Sequence, residues 1–222
     1  MKKIVILGSS GHARMIALFL QDMAAHGHDV AIAGYTDPNP DFVRPDRLLG
    51  GPMLGTDEVL AELRRDGTAT HFIIGKGSVL GDDPDRPRLW QVGLESGLEP
   101  ASAWHHSSTV LEPDRIGRGA VLMPASVICS HVTMGDNVIV NTNSVVDHDN
   151  RIGDHTHISS GVTMAGTVTV GTNSFVGTGS TISHSITIGD NATVGAGAMV
   201  IRDVPDGAVV AGVPAKPLPR KN

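Results

Sequence analysis

The chain has 222 residues, of which 27 are Gly and only 3% are aromatic, and its formal net charge is −6 at pH 7. The negative charge and the lack of a basic block argue against a nucleic-acid-binding protein. A single cysteine, Cys129, excludes an internal disulfide bond and permits a reducing compartment; we interpret it as an inert small residue.

The first hundred residues alternate between strand and helix patterns. The continuous apolar run Ile4-Val5-Ile6-Leu7 is typical of a strand that is buried on both faces of a parallel sheet. Further strands are expected at 30–34 and 71–74, and helices after residue 13, over 56–65 and over 88–96. This alternation predicts a small α/β domain with a parallel sheet. The apolar run is too short for a signal peptide and no stretch is long enough to cross a membrane, so we expect a soluble, cytoplasmic protein.

A glycine-rich turn, Gly8-Ser9-Ser10-Gly11, follows the first strand and precedes the first helix. Backbone N–H groups at a helix N-terminus bind anions, and glycine lets a phosphate approach closely. The motif is not the full dinucleotide fingerprint, and a tight turn without a ligand is an equally good interpretation.

From residue 110 to residue 200, every sixth residue is aliphatic or Met, without interruption. Small or β-branched residues mostly stand four positions later, and Gly often stands one position later. The aliphatic series is Val110, Ile116, Leu122, Ile128, Met134, Val140, Val146, Ile152, Ile158, Met164, Val170, Val176, Ile182, Ile188, Val194 and Val200.

A period of six fits a parallel β-helix and does not fit an α-helix. The aliphatic residue of each hexad would be buried, and Gly and polar residues would form the corners, where a positive φ or close backbone approach is needed. If three hexads close one coil, each coil has about 18 residues. The period does not determine the handedness of the coil.

His148 stands two positions after the inward-facing Val146, at an outer corner, between Asp147 and Asp149. An imidazole there can accept a proton near neutral pH, and a neighbouring carboxylate can orient it. The alternative is a solvated corner histidine, since the chain has 11 histidines.

The turn Gly8-Ser-Ser-Gly-His-Ala13 followed by hexads resembles the sugar O- and N-acyltransferases of the sialic-acid and bacillosamine pathways. The resemblance implies a Rossmann-like sugar-nucleotide-binding domain over 1–103 and a left-handed β-helix acyltransferase domain over 104–205. A tail over 206–222 would close the coil. The resemblance also implies that acetyl-CoA is the co-substrate, that no metal is needed, and that the protein is a homotrimer with active sites between subunits.

The same resemblance assigns roles within the coil. His148 corresponds to the general base and Asp149 to the acidic residue that orients it, although Asp147 remains open for that role. His157 corresponds to a residue that contacts the acetyl-CoA thioester. Gly166, one coil after His148, corresponds to a glycine whose N–H meets the acetyl carbonyl.

For the substrates, the resemblance implies that Gly11 and His12 lie near the sugar-nucleotide phosphates, and that Asp37 lies near the base or ribose. In the tail, Lys216 would meet coenzyme A phosphates. Arg220 and Lys221 could do so too, but we favour a frayed terminus for them.

The function predicted is acetyl transfer from acetyl-CoA to the amine of a nucleotide-linked amino sugar. Transfer to a hydroxyl of a sialic-acid-type sugar is a close alternative, and a non-enzymatic scaffold for a biosynthetic enzyme is another.

A zinc enzyme of the β-helix carbonic anhydrase type is disfavoured. His148 and His184 have the required spacing, but the third ligand would fall at Gly189. The neighbours His105 and His106 are expected to form a capping turn of the coil and not a metal cluster, because adjacent strand residues point to opposite faces.

Overall fold

The computed structural model describes residues 1–42 and 48–219. The chain divides into two compact units. The first contains Met1–Gly77 and Asp85–His106, and the second contains Ser78–Pro84 and Ser107–Asn222. The first unit therefore ends slightly beyond the expected boundary at 103, and a short internal segment belongs to the second unit. None of the described helices is both long and apolar enough to cross a membrane.

The first unit is built on a five-stranded parallel sheet in the order β3-β2-β1-β4-β5. Its strands are β1 (Lys2–Leu7), β2 (Val30–Thr36), β3 (Met53–Gly55), β4 (His71–Ile74) and β5 (Glu99–Pro100), and β6 (Ala103–Trp104) follows. Its helices are α1 (Gly11–Ala25), α2 (Leu60–Arg65) and α3 (Asp85–Glu95), with 3-10 turns at Pro40–Phe42 and Asp57–Val59.

The strands β1, β2 and β4 and the three helices of this unit were predicted from the sequence, but the edge strands β3 and β5 were not. The central strands β1 and β4 contain the continuous apolar, buried runs Ile4–Leu7 and Phe72–Ile74, and such runs reveal a strand best. The edge strands β3 and β5 have only three and two residues, too few to show a pattern. The start of the second predicted helix is a 3-10 turn, and only its second half is α-helical.

The second unit is a stack of mostly two-residue strands in three faces, and up to β21 (Met199–Val200) each strand pairs in parallel with the one 18 residues further on. The pairs Val121↔Ile139 and Ile139↔His157 show this spacing, which confirms three hexads per coil. The first face contains β7 (Thr109–Val110), β9 (Val127–Ile128), β12 (Val145–Val146), β15 (Thr163–Met164), β18 (Thr181–Ile182) and β21 (Met199–Val200). The second contains β8 (Val121–Leu122), β11 (Ile139–Val140), β14 (His157–Ile158), β17 (Phe175–Val176), β20 (Thr193–Val194), β22 (Val209–Ala211) and β23 (Lys216–Leu218). At the end of this second face, β22 and β23 have three residues each and pair antiparallel. The third contains β10 (Thr133–Met134), β13 (Arg151–Ile152), β16 (Thr169–Val170) and β19 (Thr187–Ile188), and a 3-10 turn at Pro113–Arg115 precedes β8.

The hexad side chains fill the coil as expected. From Leu122 to Val200, every aliphatic hexad residue is at most 5% exposed. The small residues four positions later are also buried, and several carry a hydroxyl that satisfies the backbone. Ser144, for example, donates to the Ser159 carbonyl at 2.7 Å.

The corners contain the Gly and polar residues that were expected, and the two expected reasons apply at different positions. Positive φ values recur every six residues, three positions after the aliphatic residue, mostly at Asn, Asp, His and Gly; they include Asn137, Asn143, Asp149, Asn173 and Asn191. The glycines directly after the aliphatic residue do not have positive φ. They are required by close approach, since a Cβ at Gly153 would come within 2.6 Å of the Thr172 backbone nitrogen.

Residues 78–84 form a strap that lies on the second face of the coil. Gly81 donates its N–H to Thr193 Oγ1 at 2.8 Å, and Asp82 donates its N–H to the Asn173 carbonyl at 3.0 Å. A Cβ at Gly81 would overlap the Ala192 carbonyl, so only glycine fits there. The sequence analysis did not identify this packing, which covers outer strand positions that would otherwise face solvent.

Candidate functional site

The corner between β12 and β13 presents His148 to solvent, with 49% of its side chain exposed. Its Nδ1 lies 2.8 Å from Asp149 Oδ2, while its backbone N–H donates to Asp147 Oδ1 at 2.8 Å. The hydrogen bond to Asp149 is the main reason that the pKa of His148 is raised, with smaller contributions from the charges of Asp147 and Asp149. The imidazole is therefore oriented by Asp149, with Nε2 left for an external group.

Gly166 lies against the His148 ring, one coil further along. A Cβ at this position would overlap the imidazole and would lie 2.5 Å from Nε2. The Gly166 carbonyl accepts from Ser185, but its N–H has no acceptor among residues 1–42 and 48–219. A backbone donor is thus available beside the imidazole, which is the arrangement that stabilises a developing oxyanion.

Asn150, which was not singled out from the sequence, holds this corner from inside. It is fully buried, donates to the carbonyls of Asp147 and Ala165 at 2.7 and 3.1 Å, and accepts from the Val168 N–H at 2.7 Å. Asn150 could have been identified from the sequence, because it is an amide at a hexad position that small residues mostly occupy. Asn150 fixes the turn that carries His148 through these three hydrogen bonds to the backbone.

A groove of about 630 Å³ runs beside this corner, along the third face of the coil. Asp149 lies on its lining together with His131 and two arginines, Arg115 and Arg151. Arg115 forms an ion pair with Glu112 at 2.6 Å, and Arg151 is exposed. Arginine at such a position suits phosphate oxygens. These residues come from different coils, so their proximity was not evident from the sequence.

His157 lies on the second face, half a coil away from the His148 corner, and is only 6% exposed. Its Nδ1 is 2.9 Å from the Ser78 carbonyl of the strap, and its ring packs edge-on against Phe175. The Asn141 amide nitrogen lies 3.4 Å from Nε2. Within one chain, the structure brings His148, Asp149 and Gly166 together and leaves His157 apart from them.

The predicted substrate-binding residues meet at the carboxyl ends of β1, β2 and β4. Ser10 is the N-cap of α1, and its hydroxyl accepts from the His12 N–H at 3.2 Å and donates to the Gly75 carbonyl at 2.7 Å. Asp37 accepts from the Ser9 N–H at 3.2 Å and from the Ser9 hydroxyl at 2.5 Å. Gly11 is exposed, and a Cβ there would have no neighbour within 4 Å, so the chain itself does not require glycine at this position.

The remaining candidates lie elsewhere. Lys216 is exposed on β23 at the end of the coil, and Arg220 and Lys221 lie outside the described residues. Burial raises the pKa of the Cys129 thiol, and the nearby Asp147 raises it further, which opposes thiolate formation.

The prediction that His105 and His106 point to opposite faces is wrong, because both follow β6 in non-strand backbone. Their ring centroids are 4.2 Å apart.

Comparison with known proteins places these features in a family. A profile described as "Hexapeptide repeat of succinyl-transferase" matches residues 167–202. Several solved structures resemble nearly the whole chain. A mutant of GDP-perosamine N-acetyltransferase from Caulobacter crescentus, in complex with CoA and GDP-perosamine, is 33% identical and has a TM-score of 0.86; the match covers 99% of this chain and 98% of that one. The acetyltransferase domain of PglB from Neisseria gonorrhoeae is 30% identical and has a TM-score of 0.83, with 98% and 100% covered.

The chain belongs to the hexapeptide-repeat sugar acyltransferases. The hexapeptide match and the stacked parallel strands of this acyltransferase fit a left-handed β-helix. WeeI from Acinetobacter baumannii, at 24% identity and a TM-score of 0.79 over 98% of the chain, shares the fold. No sequence among curated proteins matches this acyltransferase.

Proposed function

We propose that this acyltransferase transfers the acetyl group of acetyl-CoA to the amine of a nucleotide-linked amino sugar, with His148 as general base. One observation carries the proposal: a corner imidazole bonded to Asp149 faces the Gly166 backbone, in a chain that matches a GDP-perosamine N-acetyltransferase along its whole length. A structure of the PglB domain in complex with acetyl coenzyme A supports the same co-substrate.

The reaction needs no acyl-enzyme. The amine lone pair attacks the thioester carbonyl, and His148 Nε2 accepts the proton that the nitrogen loses. The Gly166 N–H donates to the oxyanion, and Asp149 stabilises the imidazolium. The carbon–sulfur bond then breaks, and the leaving thiolate takes the proton from His148.

The first unit is proposed to bind the sugar nucleotide. The parallel strand order β3-β2-β1-β4-β5 supports a Rossmann-like domain, in which ligands bind at the carboxyl ends of the strands. The N-terminus of α1, with Gly11 and His12, would receive the phosphates, and Asp37 would lie near the ribose or base. The arginine-lined groove beside Asp149 would accept phosphate groups of one of the two substrates.

We propose a homotrimer with active sites between subunits. His148 and His157 lie half a coil apart in one chain, so a site that uses both needs two chains side by side. His157 would then contact acetyl-CoA from the neighbouring subunit, and Lys216 would meet the coenzyme phosphates.

The test is thiol release from acetyl-CoA with a panel of nucleotide sugars that carry either an amine or only hydroxyls. We expect release with an amino sugar, an N-acetyl product by mass spectrometry, and a rate about 10²–10⁴-fold lower for His148→Ala. His28→Ala, an exposed histidine of the first unit, is the matched control.

Release only with hydroxyl acceptors would instead establish an O-acetyltransferase. No release with any acceptor, despite coenzyme binding, would favour a scaffold.

A further inference from the structure

Three side chains that can ligate a metal converge at the C-terminal end of α1, in the first unit. Asp22 lies in the last turns of the helix, and His26 is its C-cap residue four positions later. His106 reaches the same point from the segment after β6, 84 residues further along the chain than Asp22. None of these residues belongs to the acetyl-transfer site proposed above.

The distances suit a small cation. His106 Nδ1 lies 2.9 Å from Asp22 Oδ2, and His26 Nδ1 lies 3.4 Å from Asp22 Oδ1. One ligating atom of each side chain lies within 4.8 Å of those of the other two. In a tetrahedral zinc site with bonds of about 2.0–2.2 Å, neighbouring ligand atoms are about 3.4 Å apart. His26 Nδ1 also lies 2.8 Å from the Asp22 backbone carbonyl, so metal binding would replace this hydrogen bond with a bond to the ion.

The surroundings hold the group in place and leave it accessible. The rings of His26 and His106 stack with centroids 5.0 Å apart, and His105 packs edge-on against Phe19 of α1 at 5.3 Å. About half of each ligand imidazole is exposed, 55% for His26 and 53% for His106, while Asp22 is only 23% exposed. A metal ion can reach the group from solvent, and water can supply a fourth ligand.

We propose that Asp22, His26 and His106 form a binding site for a divalent transition-metal ion such as Zn²⁺. Two imidazoles and one carboxylate suit Zn²⁺, Co²⁺, Ni²⁺ or Cu²⁺, whereas Mg²⁺ and Ca²⁺ prefer oxygen ligands. The ion cross-links the end of α1 to the segment after β6 and stabilises the folded first unit, because the unfolded chain does not bring the ligands together. It takes no part in acetyl transfer.

The experiment uses the tag-free, chelator-treated full chain and Zn²⁺ alone as the probe. Competition with a chromophoric chelator measures the affinity and stoichiometry of Zn²⁺ binding. The absorption spectrum of bound Co²⁺ reports which ligands surround the ion. The melting temperature with and without Zn²⁺ measures the effect on stability. We expect one ion per chain and a higher melting temperature with Zn²⁺ but not with Mg²⁺. His26→Ala and His106→Ala should each weaken affinity by at least about tenfold and remove the shift in melting temperature.

His28→Ala is the matched control, since His28 is an exposed histidine two positions from a proposed ligand and outside the group. Wild-type affinity in His106→Ala, or an equal loss in His28→Ala, would overturn the proposal and indicate surface binding only. Asp22→Asn, which preserves the size of the side chain, replaces His106→Ala if circular dichroism shows that His106→Ala does not fold.

Discussion

His148 is made more basic by the carboxylate that follows it in the chain. The bond from Nδ1 to Asp149 Oδ2 favours the protonated ring and raises the pKa of His148 above its ordinary value of 6.5. Only the neutral ring can act as a base, so kcat/KM should rise with pH through this elevated pKa. Asp149 occupies a corner position with positive φ, where Asp is tolerated, and this conformation places its carboxylate beside the ring.

For Asp149→Asn, we predict that the rising limb of the pH–kcat/KM profile moves to lower pH, toward 6.5, and that the plateau falls. The neutral amide no longer favours the imidazolium, so the pKa of His148 drops. Asp147→Asn is the control and should cause a smaller shift, because Asp147 bonds the backbone N–H and acts on the ring only through its charge. A limb that moves to higher pH, or a larger effect of Asp147→Asn, would contradict this assignment.

Gly166→Ala tests the contact between the imidazole and the next coil. The three atoms nearest to the added Cβ all belong to the His148 ring, which can rotate away. We therefore expect a properly folded protein whose kcat falls by about 10²-fold, since a displacement of about 1 Å has that effect on positioned groups. Steady-state kinetics and the melting temperature measure the two effects separately. A large drop in melting temperature with unchanged kcat would refute the proposed contact.

At the scale of the element, the corner turn depends on Asn150. Three backbone groups use this side chain, namely the buried Val168 N–H and the partly buried carbonyls of Asp147 and Ala165, and each would be left unpaired without it. We predict that Asn150→Ala lowers the free energy of unfolding by about 2–4 kcal/mol and also reduces kcat, because the turn that carries His148 loses its support.

Ser144→Ala is the matched control for Asn150→Ala, at the equivalent inward position of the preceding corner. It should lower stability less and leave the pH profile of activity unchanged. An Asn150→Ala protein with wild-type activity would show that the turn is held by other contacts. Urea unfolding and kcat are the measurements.

The strap offers a second test at this scale. Thr193→Val preserves the shape of the side chain but leaves the buried Gly81 N–H without its acceptor, which should cost about 1–3 kcal/mol. Thr187→Val makes the same change at an exposed outer position of the third face and should have little effect. Equal urea midpoints for the two variants would mean that the strap does not depend on this hydrogen bond. Limited proteolysis at the exposed Val79 and Leu80 reports strap release directly.

At the scale of the whole molecule, we predict an assembly with three times the 23.1 kDa chain mass by light scattering. Specific activity should fall when the protein is diluted below the concentration at which the trimer dissociates, because a coil edge alone has no deep cleft for two substrates. A monomer with full activity would contradict the interfacial site.

The parallel coil and the strands β1 and β4 could be predicted from the amino-acid sequence. Local sequence patterns predict both features, because one aliphatic residue per hexad must be buried and a continuous apolar run must lie inside a parallel sheet. The hexad register also placed His148 at a corner and Gly166 one coil later, because 18 residues return the chain to the same edge.

Contacts between residues that are distant in the chain could not be predicted and were found in the folded structure. Asp147 and Asp149 are indistinguishable by spacing, and the backbone conformation at Asp149 selected it. The strap on the second face and the convergence of Asp22, His26 and His106 join residues that are far apart in sequence. No local periodicity encodes such contacts, since they follow from how loops and helix ends pack after the regular elements have formed.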